Sequence, residues 1–174
     1  MSGAETNGAA GNASGKGHVV LLAGPGASTH IVYHALARAF GDVPVILEDR
    51  VPRGQLVKRR LKKLGLPTVA GQILFMALAE PLLRRRSSAR VAAIKRECGL
   101  DDGPISGEVI RVPSVNSDEA RRALKELAPR FVVVNGTRII SKETLGAVDA
   151  TFVNTHAGIT PAFRGVHGGH WALA

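Results

Sequence analysis

A short apolar run followed by a glycine-rich break restricts the fold more than any other feature of the sequence. The run is His18 to Ala23 and the break is Gly24 to Ser28. An apolar run of this length, without polar alternation, predicts a strand buried on both faces. Ser28 or Thr29 can cap a helix after the break, and Val43 to Leu47 predicts a second strand. This order of elements predicts a βαβ unit, and therefore a parallel sheet with a right-handed crossover.

The same alternation resumes in the second half of the chain. Strands are predicted over Glu108–Val112, Arg130–Val134 and Thr151–Val153, and helices over Ser117–Leu127 and Ser141–Leu145. The predicted fold class is therefore α/β, with a Rossmann-like, mostly parallel sheet flanked by helices and a basic helical insert. The 174 residues suit one such domain on a scale of roughly 100–200 residues per domain. Residues 1–17 are predicted to be a disordered leader, and residues 18–174 to form the domain.

Positive charge is concentrated in the insert, which covers residues 53–107. Between Arg53 and Arg96 the sequence has twelve basic residues and one acidic residue, which gives this segment a net charge of +11. The net charge of the whole chain is +9, so the remaining residues together carry −2. Helical spacing of apolar residues predicts one helix ending at Pro67 and a second over Val69–Leu83, kinked or broken near Pro81. The longest uninterrupted apolar run, Ile73 to Ala79, is far shorter than the ~20 residues of a membrane-spanning helix.

Three uses of this insert remain open from the sequence. It can be a solvated charged face, or a surface for a polyanion such as tRNA or for an anionic membrane. It can also be an apolar hairpin for oligomerisation or peripheral membrane contact. The single cysteine, Cys98, excludes an internal disulfide framework, and a cytoplasmic location is expected.

Three loops follow predicted strands, where open parallel sheets bind their ligands. In Gly24–Thr29, glycines permit close approach of a ligand to the backbone, and the helix N-terminus favours an anion. The segment Asn135–Arg138 is a turn. In the third loop, Asn154 and His156 alternate and are expected to point the same way. An amide and an imidazole placed together can hold a carbonyl oxygen and manage protons while an amine attacks. The histidine spacings after Asn154 match no common metal motif, so no metal is expected.

These residues carry a family resemblance. Asn154-Thr-His156, followed by Pro161, an aromatic residue and Gly165, resembles the signature of the folate-dependent formyltransferases. That family includes the glycinamide ribonucleotide, methionyl-tRNA and nucleotide-sugar enzymes. The segment Arg138–Ser141 is similar to the part of the family that holds folate, and the Gly24–Ser28 turn matches in position.

The resemblance implies transfer of a formyl group from 10-formyltetrahydrofolate to a primary amine of a small molecule. Asn154 and His156 would be the catalytic residues, acting on the formyl oxygen and on the transferred proton. The formyl donor would be held by the backbone of Arg138, Ile139 and Ile140. The acceptor would be held by Gly24, Gly26, Ser28 and Arg164. No metal is implied.

The sequence departs from the family pattern in three places. Gly158 stands where many members have Ser, and Thr160 where many have Leu. The aspartate that completes the family's active site lies some tens of residues beyond the Asn-x-His loop, and this sequence ends at Ala174. It is therefore expected to be a C-terminally truncated member with little activity alone. The alternatives are an enzyme similar to methionyl-tRNA formyltransferase, or a non-catalytic protein that binds a polyanion or a membrane.

Overall fold

The computed structural model describes residues 18–155 and has a five-stranded parallel sheet at its centre. The strands are β1 (Val19–Ala23), β2 (Val45–Glu48), β3 (Val109–Val112), β4 (Phe131–Asn135) and β5 (Thr151–Asn154). Their order across the sheet is β3-β2-β1-β4-β5, and every neighbouring pair is parallel. The predicted α/β, Rossmann-like fold class is confirmed.

Six helices connect these strands. They are α1 (Ala27–Phe40), α2 (Arg53–Leu64), α3 (Leu66–Leu74), α4 (Glu80–Glu97), α5 (Asp118–Leu127) and α6 (Lys142–Leu145). The connections β1–β2 and β2–β3 step in one direction across the sheet, and β3–β4 reverses it. Because parallel crossovers are right-handed, α1 covers one face of the sheet and α5 covers the other. The reversal creates a switch point between β1 and β4, where such sheets open a ligand crevice.

Strand β1 lies at the centre of the core, which explains its uninterrupted apolar sequence. Val20 and Leu22 face a cluster with α5, whereas Val19 and Leu21 face a second cluster that includes Tyr33 of α1. All five β1 residues are buried. Each face of the strand therefore buries its own set of side chains, as expected for a strand whose side chains alternate between two covered faces.

Two predicted element boundaries are wrong, for local reasons. Helix α1 begins at Ala27 with Gly26 at its N-cap and no side-chain cap, so Ser28 and Thr29 lie inside the first turn. The second strand begins at Val45 and not at Val43, because Pro44 has no N–H to donate to a ladder.

The insert is more continuously helical than predicted. Helix α2 ends at Leu64 and is followed by Gly65, which adopts φ +79°, and Pro67 belongs to the first turn of α3. A π-helical turn, Phe75–Ala79, joins α3 to α4. Pro81 lies in the first turn of α4, where its missing N–H costs no helical hydrogen bond. Of the two predicted alternatives near Pro81, a kink or a break, the break is wrong because helix continues through this residue.

The stretch Leu66–Glu97 is long and apolar enough to cross a membrane by length and composition, with an 18-residue window of mean hydropathy 1.5. Counting only uninterrupted apolar residues missed this window, because Thr68, Gly71 and Gln72 interrupt the run.

Candidate functional site

The loops after β1 and β4 meet at the switch point. The N–H of Gly24 donates to the carbonyl of Asn135 over 2.9 Å. A Cβ placed on Gly24 would lie 2.1 Å from the carbonyl oxygen of Gly136, which is closer than any side chain permits. Gly136 itself adopts φ +64°, a conformation that favours glycine. Both glycines are therefore required for the two loops to lie against each other, and we call this contact the glycine seam.

The side chain of Asn135 holds the base of this crevice. It is 7% exposed, and its amide Nδ2 donates to Ser28 Oγ over 3.2 Å and to Thr29 Oγ1 over 3.1 Å. Thr29 Oγ1 in turn donates to the carbonyl of Gly24 over 2.6 Å. The end of β4 is thus fastened to the first turn of α1. The sequence predicts only a turn at Asn135.

The end of β5 is hydrogen-bonded to the same asparagine. We call the hydrogen bonds that join Asn135 to Ser28, Thr29 and Thr155 the Asn135 bracket. Thr155 donates from its N–H to the carbonyl of Val134 over 2.9 Å, which continues the strand pairing beyond Asn154. Thr155 Oγ1 donates to Asn135 Oδ1 over 2.8 Å. Because side chains alternate along an extended chain, anchoring Thr155 toward Asn135 leaves Asn154 on the opposite side. Asn154 is exposed, so its amide is available to a ligand.

A buried carboxylate organises the loop after β4. Glu48, the last residue of β2, is 4% exposed and lies 3.2 Å from Arg138 Nε. It also accepts hydrogen bonds from the backbone N–H groups of Val115 and Arg138, over 2.9 and 3.1 Å. The guanidinium of Arg138 donates further to the carbonyls of Asp49 and Pro113. The Arg138 side chain and N–H are therefore engaged within the protein.

The next two residues present free backbone groups. Ile139 is 93% exposed, and its carbonyl accepts a hydrogen bond from Asn116 Nδ2 over 2.9 Å. Asn116 Oδ1 accepts from the N–H of Ser141 over 2.8 Å, so one side chain clamps this loop from both sides. Within residues 18–155, the N–H groups of Ile139 and Ile140 and the carbonyl of Ile140 have no hydrogen-bond partner. They form an edge of two donors and one acceptor.

A cleft of about 570 Å³ lies at the carboxyl ends of β1 and β2. One wall is the first turn of α1, where Gly26 provides no side-chain cap and no acidic residue is present. The other wall includes Asp49, Arg50 and Arg111. Arg111 is paired with Asp49 over 3.7 Å, so the groups of this cleft that favour an anion are the helix N–H groups and the guanidinium of Arg50. The imidazole of His30 also lines the cleft and donates from Nδ1 to the carbonyl of Gly103 over 2.7 Å.

The predicted site residues divide into two groups. The carboxyl ends of β1, β4 and β5 bring five of them to one edge of the sheet: Gly24, Arg138, Ile139, Ile140 and Asn154. The N-terminus of α1 adds Gly26 and Ser28. His156 and Arg164 lie outside the described residues. Between residues 18 and 155, no group of three His, Cys, Asp or Glu side chains could hold a metal ion.

These loops, at the edge of a parallel sheet with one switch point, define a doubly wound α/β protein, a class whose ligands bind at the carboxyl ends of the strands. The formyl transferase family model matches residues 83–174, just over half of the chain. The chain belongs to the formyl transferase family. No curated protein and no solved structure matches the chain.

Three residues of this edge were not identified by the sequence reasoning: Glu48, Asn116 and Asn135. Glu48 carried one usable signal, since an acidic residue directly after three apolar strand residues is costly to bury without a partner. Asn116 and Asn135 carried none, because an asparagine in a turn is the common case.

Proposed function

We propose that this protein transfers a formyl group from 10-formyltetrahydrofolate to a primary amine of a small, anionic acceptor such as a ribonucleotide or an amino-sugar nucleotide. Membership of the formyl transferase family supports formyl transfer as the chemistry. The observation that carries the finer proposal is the position of Asn154. Its exposed amide lies at the end of β5, directly beside the strand whose following loop presents the free backbone edge of Ile139 and Ile140.

The free backbone edge fits the formyl donor. A pterin ring presents hydrogen-bond donors and acceptors side by side along one edge, and Ile139 and Ile140 offer the complementary groups. The exposed Ile139 side chain provides apolar surface for the flat ring. When bound, the folate supplies the formyl carbon and receives a proton at the nitrogen from which that carbon departs.

The roles of the polar side chains follow from the charge that develops during transfer. As the acceptor amine forms its bond to the formyl carbon, the formyl oxygen becomes more negative. The Asn154 amide donates a hydrogen bond to that oxygen. Because side chains two residues apart point the same way along an extended chain, we expect His156 on the same side as Asn154. His156 stabilises the same charge and passes the amine proton toward the folate nitrogen. The products are a formamide and tetrahydrofolate.

The cleft beside α1 supports an anionic acceptor. Gly24, Gly26 and Ser28 shape the uncapped helix N-terminus. Arg50 adds positive charge to the opposite wall, where Arg111 is paired with Asp49. Arg164 would add a further positive charge. A phosphate or diphosphate placed there would hold the acceptor beside the ends of β1 and β4. An acceptor as large as an aminoacyl-tRNA would need contacts far beyond this cleft.

The test is formyl transfer to a panel of amines, with glycinamide ribonucleotide, an amino-sugar nucleotide and methionyl-tRNA as acceptors. Tetrahydrofolate formation is followed by absorbance, and the formylated product by mass spectrometry. Asn154→Ala and His156→Ala are expected to abolish transfer while 5-formyltetrahydrofolate, a stable analogue of the donor, still binds. Val153→Ala, beside Asn154 and also exposed, is the matched control. Wild-type turnover by either site variant would refute the assigned roles.

The same assay is run on the 174-residue chain and on a chain extended by the segment that carries the aspartate in other members of the family. Binding of the folate analogue by either chain tests the backbone edge separately from turnover. Absence of both binding and transfer in the two chains would refute the proposed function.

A further inference from the structure

The helical insert has an apolar surface that nothing in residues 18–155 covers. Ile73, Leu74, Phe75 and Met76 are consecutive residues, and each is more than half exposed. Because consecutive helical residues lie about 100° apart around the axis, this apolar surface surrounds the helix and is not a single stripe. Leu66 and Leu78, at 72% and 65% exposed, extend it along the helix. A helix that is apolar on all sides is stable only in a protein interior or in lipid.

Positive charge brackets this apolar surface on both sides. Helix α2, which precedes it, has six basic residues among its twelve. Arg84, Arg85 and Arg86 follow it directly. Glu80, the one acidic residue between Arg53 and Arg96, is paired with Arg84 over 2.7 Å. Among the described residues, Arg85 and Arg86 form no ion pair. An apolar centre flanked by unpaired cations complements the acyl chains and anionic headgroups of a phospholipid surface.

We propose that the helical part of the insert, residues 53–97, binds the protein to an anionic phospholipid membrane. Leu66–Leu83 would lie at the acyl boundary and the two basic clusters on the headgroup phosphates. This role is independent of the proposed catalytic function, because none of these residues belongs to the candidate site. It also agrees with the cytoplasmic location expected from the sequence, since the cytoplasmic leaflet carries the anionic lipids.

The connectivity of the insert makes this contact one-sided. The insert leaves the sheet after β2 and returns to it at β3, and these strands are hydrogen-bonded neighbours. If Leu66–Leu83 crossed a bilayer, either α2 or the segment after Leu83 would have to cross it as well in order to return to the same sheet. The segment after Leu83 has six basic residues between Arg84 and Arg96, and α2 is no better suited. Twelve helical residues cover only about 18 Å, against roughly 30 Å of hydrocarbon, and half of those residues are basic. The helices therefore enter one leaflet only.

Two other occupants fit the surface less well. A second copy of the chain would bring its own basic clusters against these, and like charges repel. A nucleic acid would use the cations but leave the apolar residues in water, and Phe75 is the single aromatic residue between Arg53 and Gly107 on which a base could stack. A phospholipid surface satisfies both the apolar and the charged parts.

The experiment is co-sedimentation of the full chain with vesicles of phosphatidylcholine alone and of phosphatidylcholine mixed with phosphatidylglycerol. Binding to the mixed vesicles and not to the neutral ones is expected. Arg85→Glu with Arg86→Glu should lower the partition coefficient at least about thirtyfold, at ~1 kcal/mol for each of the two cations lost and ~1.4 kcal/mol per tenfold change. Phe75→Ser with Leu78→Ser should lower it by at least about tenfold.

Matched controls lie elsewhere on the surface. Phe40→Ser removes an aromatic side chain that is 60% exposed at the end of α1, and Arg122→Glu with Lys125→Glu reverses two exposed charges on α5. Neither control should change vesicle binding. Circular dichroism verifies that all variants fold.

A fluorescent probe locates the contact. The single cysteine, Cys98, is exposed at the end of α4. An environment-sensitive dye is attached to the new cysteine of a Cys98→Ser, Leu78→Cys variant, and its emission should shift to the blue on anionic vesicles. The emission of the same dye on Cys98 of the wild type should not shift. Binding to an RNA oligonucleotide without vesicle binding, self-association without vesicle binding, or equal binding to neutral and anionic vesicles would each overturn the proposal.

Discussion

The amide of Asn135 donates to Thr29 Oγ1 over 3.1 Å, so one side chain joins the end of the fourth strand to the first helix across the switch point. Asn135 also accepts from Thr155, which brings the loop that follows Asn154 into the same bracket. Three loops that are distant in sequence are thereby held at one edge of the sheet. The geometry of the candidate site depends on this buried amide.

Replacing Asn135 with alanine is expected to destabilise the fold by about 2–3 kcal/mol, because Thr29 and Thr155 each lose a hydrogen bond to this buried amide. Urea denaturation measures this loss. Asn154→Ala, which removes the same side chain from an exposed position, is the control and should change stability by no more than about 0.5 kcal/mol. Equal stability of the two variants would show that the bracket contributes nothing.

Gly24→Ala should disrupt the glycine seam. The added Cβ would meet the Gly136 carbonyl at 2.1 Å, and backbone on both sides must move. We expect a loss of at least about 2 kcal/mol in the free energy of unfolding. Gly71→Ala, where the new methyl group meets no atom within 4 Å, should instead stabilise α3 by about 0.5–1 kcal/mol. The opposite signs separate a steric requirement from a general effect of glycine.

Glu48→Gln should cost about 2–4 kcal/mol, since it removes the charge that pairs with Arg138 and places an amide against two N–H donors. Thermal and urea unfolding measure the change. Glu126→Gln on the exposed face of α5 is the matched control. If the two variants were equally stable, the ion pair with Arg138 would not be a structural element of this loop.

Asn116→Asp should weaken binding of 5-formyltetrahydrofolate about tenfold. The aspartate keeps an acceptor for the Ser141 N–H but repels the Ile139 carbonyl, which displaces the free backbone edge. The dissociation constant is measured by fluorescence titration, and the free energy of unfolding serves as a second readout. A variant that loses stability but keeps its affinity would mean that Asn116 supports the fold and does not position the donor.

The stability contributed by Glu119 should depend on pH. Its own backbone N–H and the Ser117 hydroxyl lower the pKa of its carboxyl below the ordinary value of 4.5. Because the folded pKa is the lowered one, this stabilisation is complete above pH 4.5 and disappears as the pH falls through the folded value. Glu119→Gln should be less stable than the wild type near neutral pH and equally stable at about pH 2. A difference that persists in acid would exclude ionisation as its cause.

The sheet could be predicted from the sequence because its strands are buried on both faces. The run before Gly24 predicts a central strand from local sequence alone. The helix predicted to begin at Ser117 begins one residue later, and the Ser117 side chain caps it by accepting from the Ala120 N–H over 3.3 Å. The convergence of the loops after β1, β4 and β5 also followed, because parallel strands share one carboxyl edge.

The side chains that fix the site could not be predicted in this way. Glu48 and Arg138 are 90 residues apart, and no local pattern signals their pairing. The length of the apolar helix was missed for a different reason. Polar residues such as Thr68 and Gln72 interrupt the run in sequence without interrupting the helix.

The glycine seam divides the ligand-binding edge into parts with different freedom to change. At its centre, two backbones touch with no side chain between them. Gly24 and Gly136 therefore cannot be replaced by a residue with a side chain without moving the backbone. Toward the rim, exposed positions such as Ile139 and Arg111 can vary without disturbing the sheet. The shape of the rim can therefore change by substitution while the central strands keep their register.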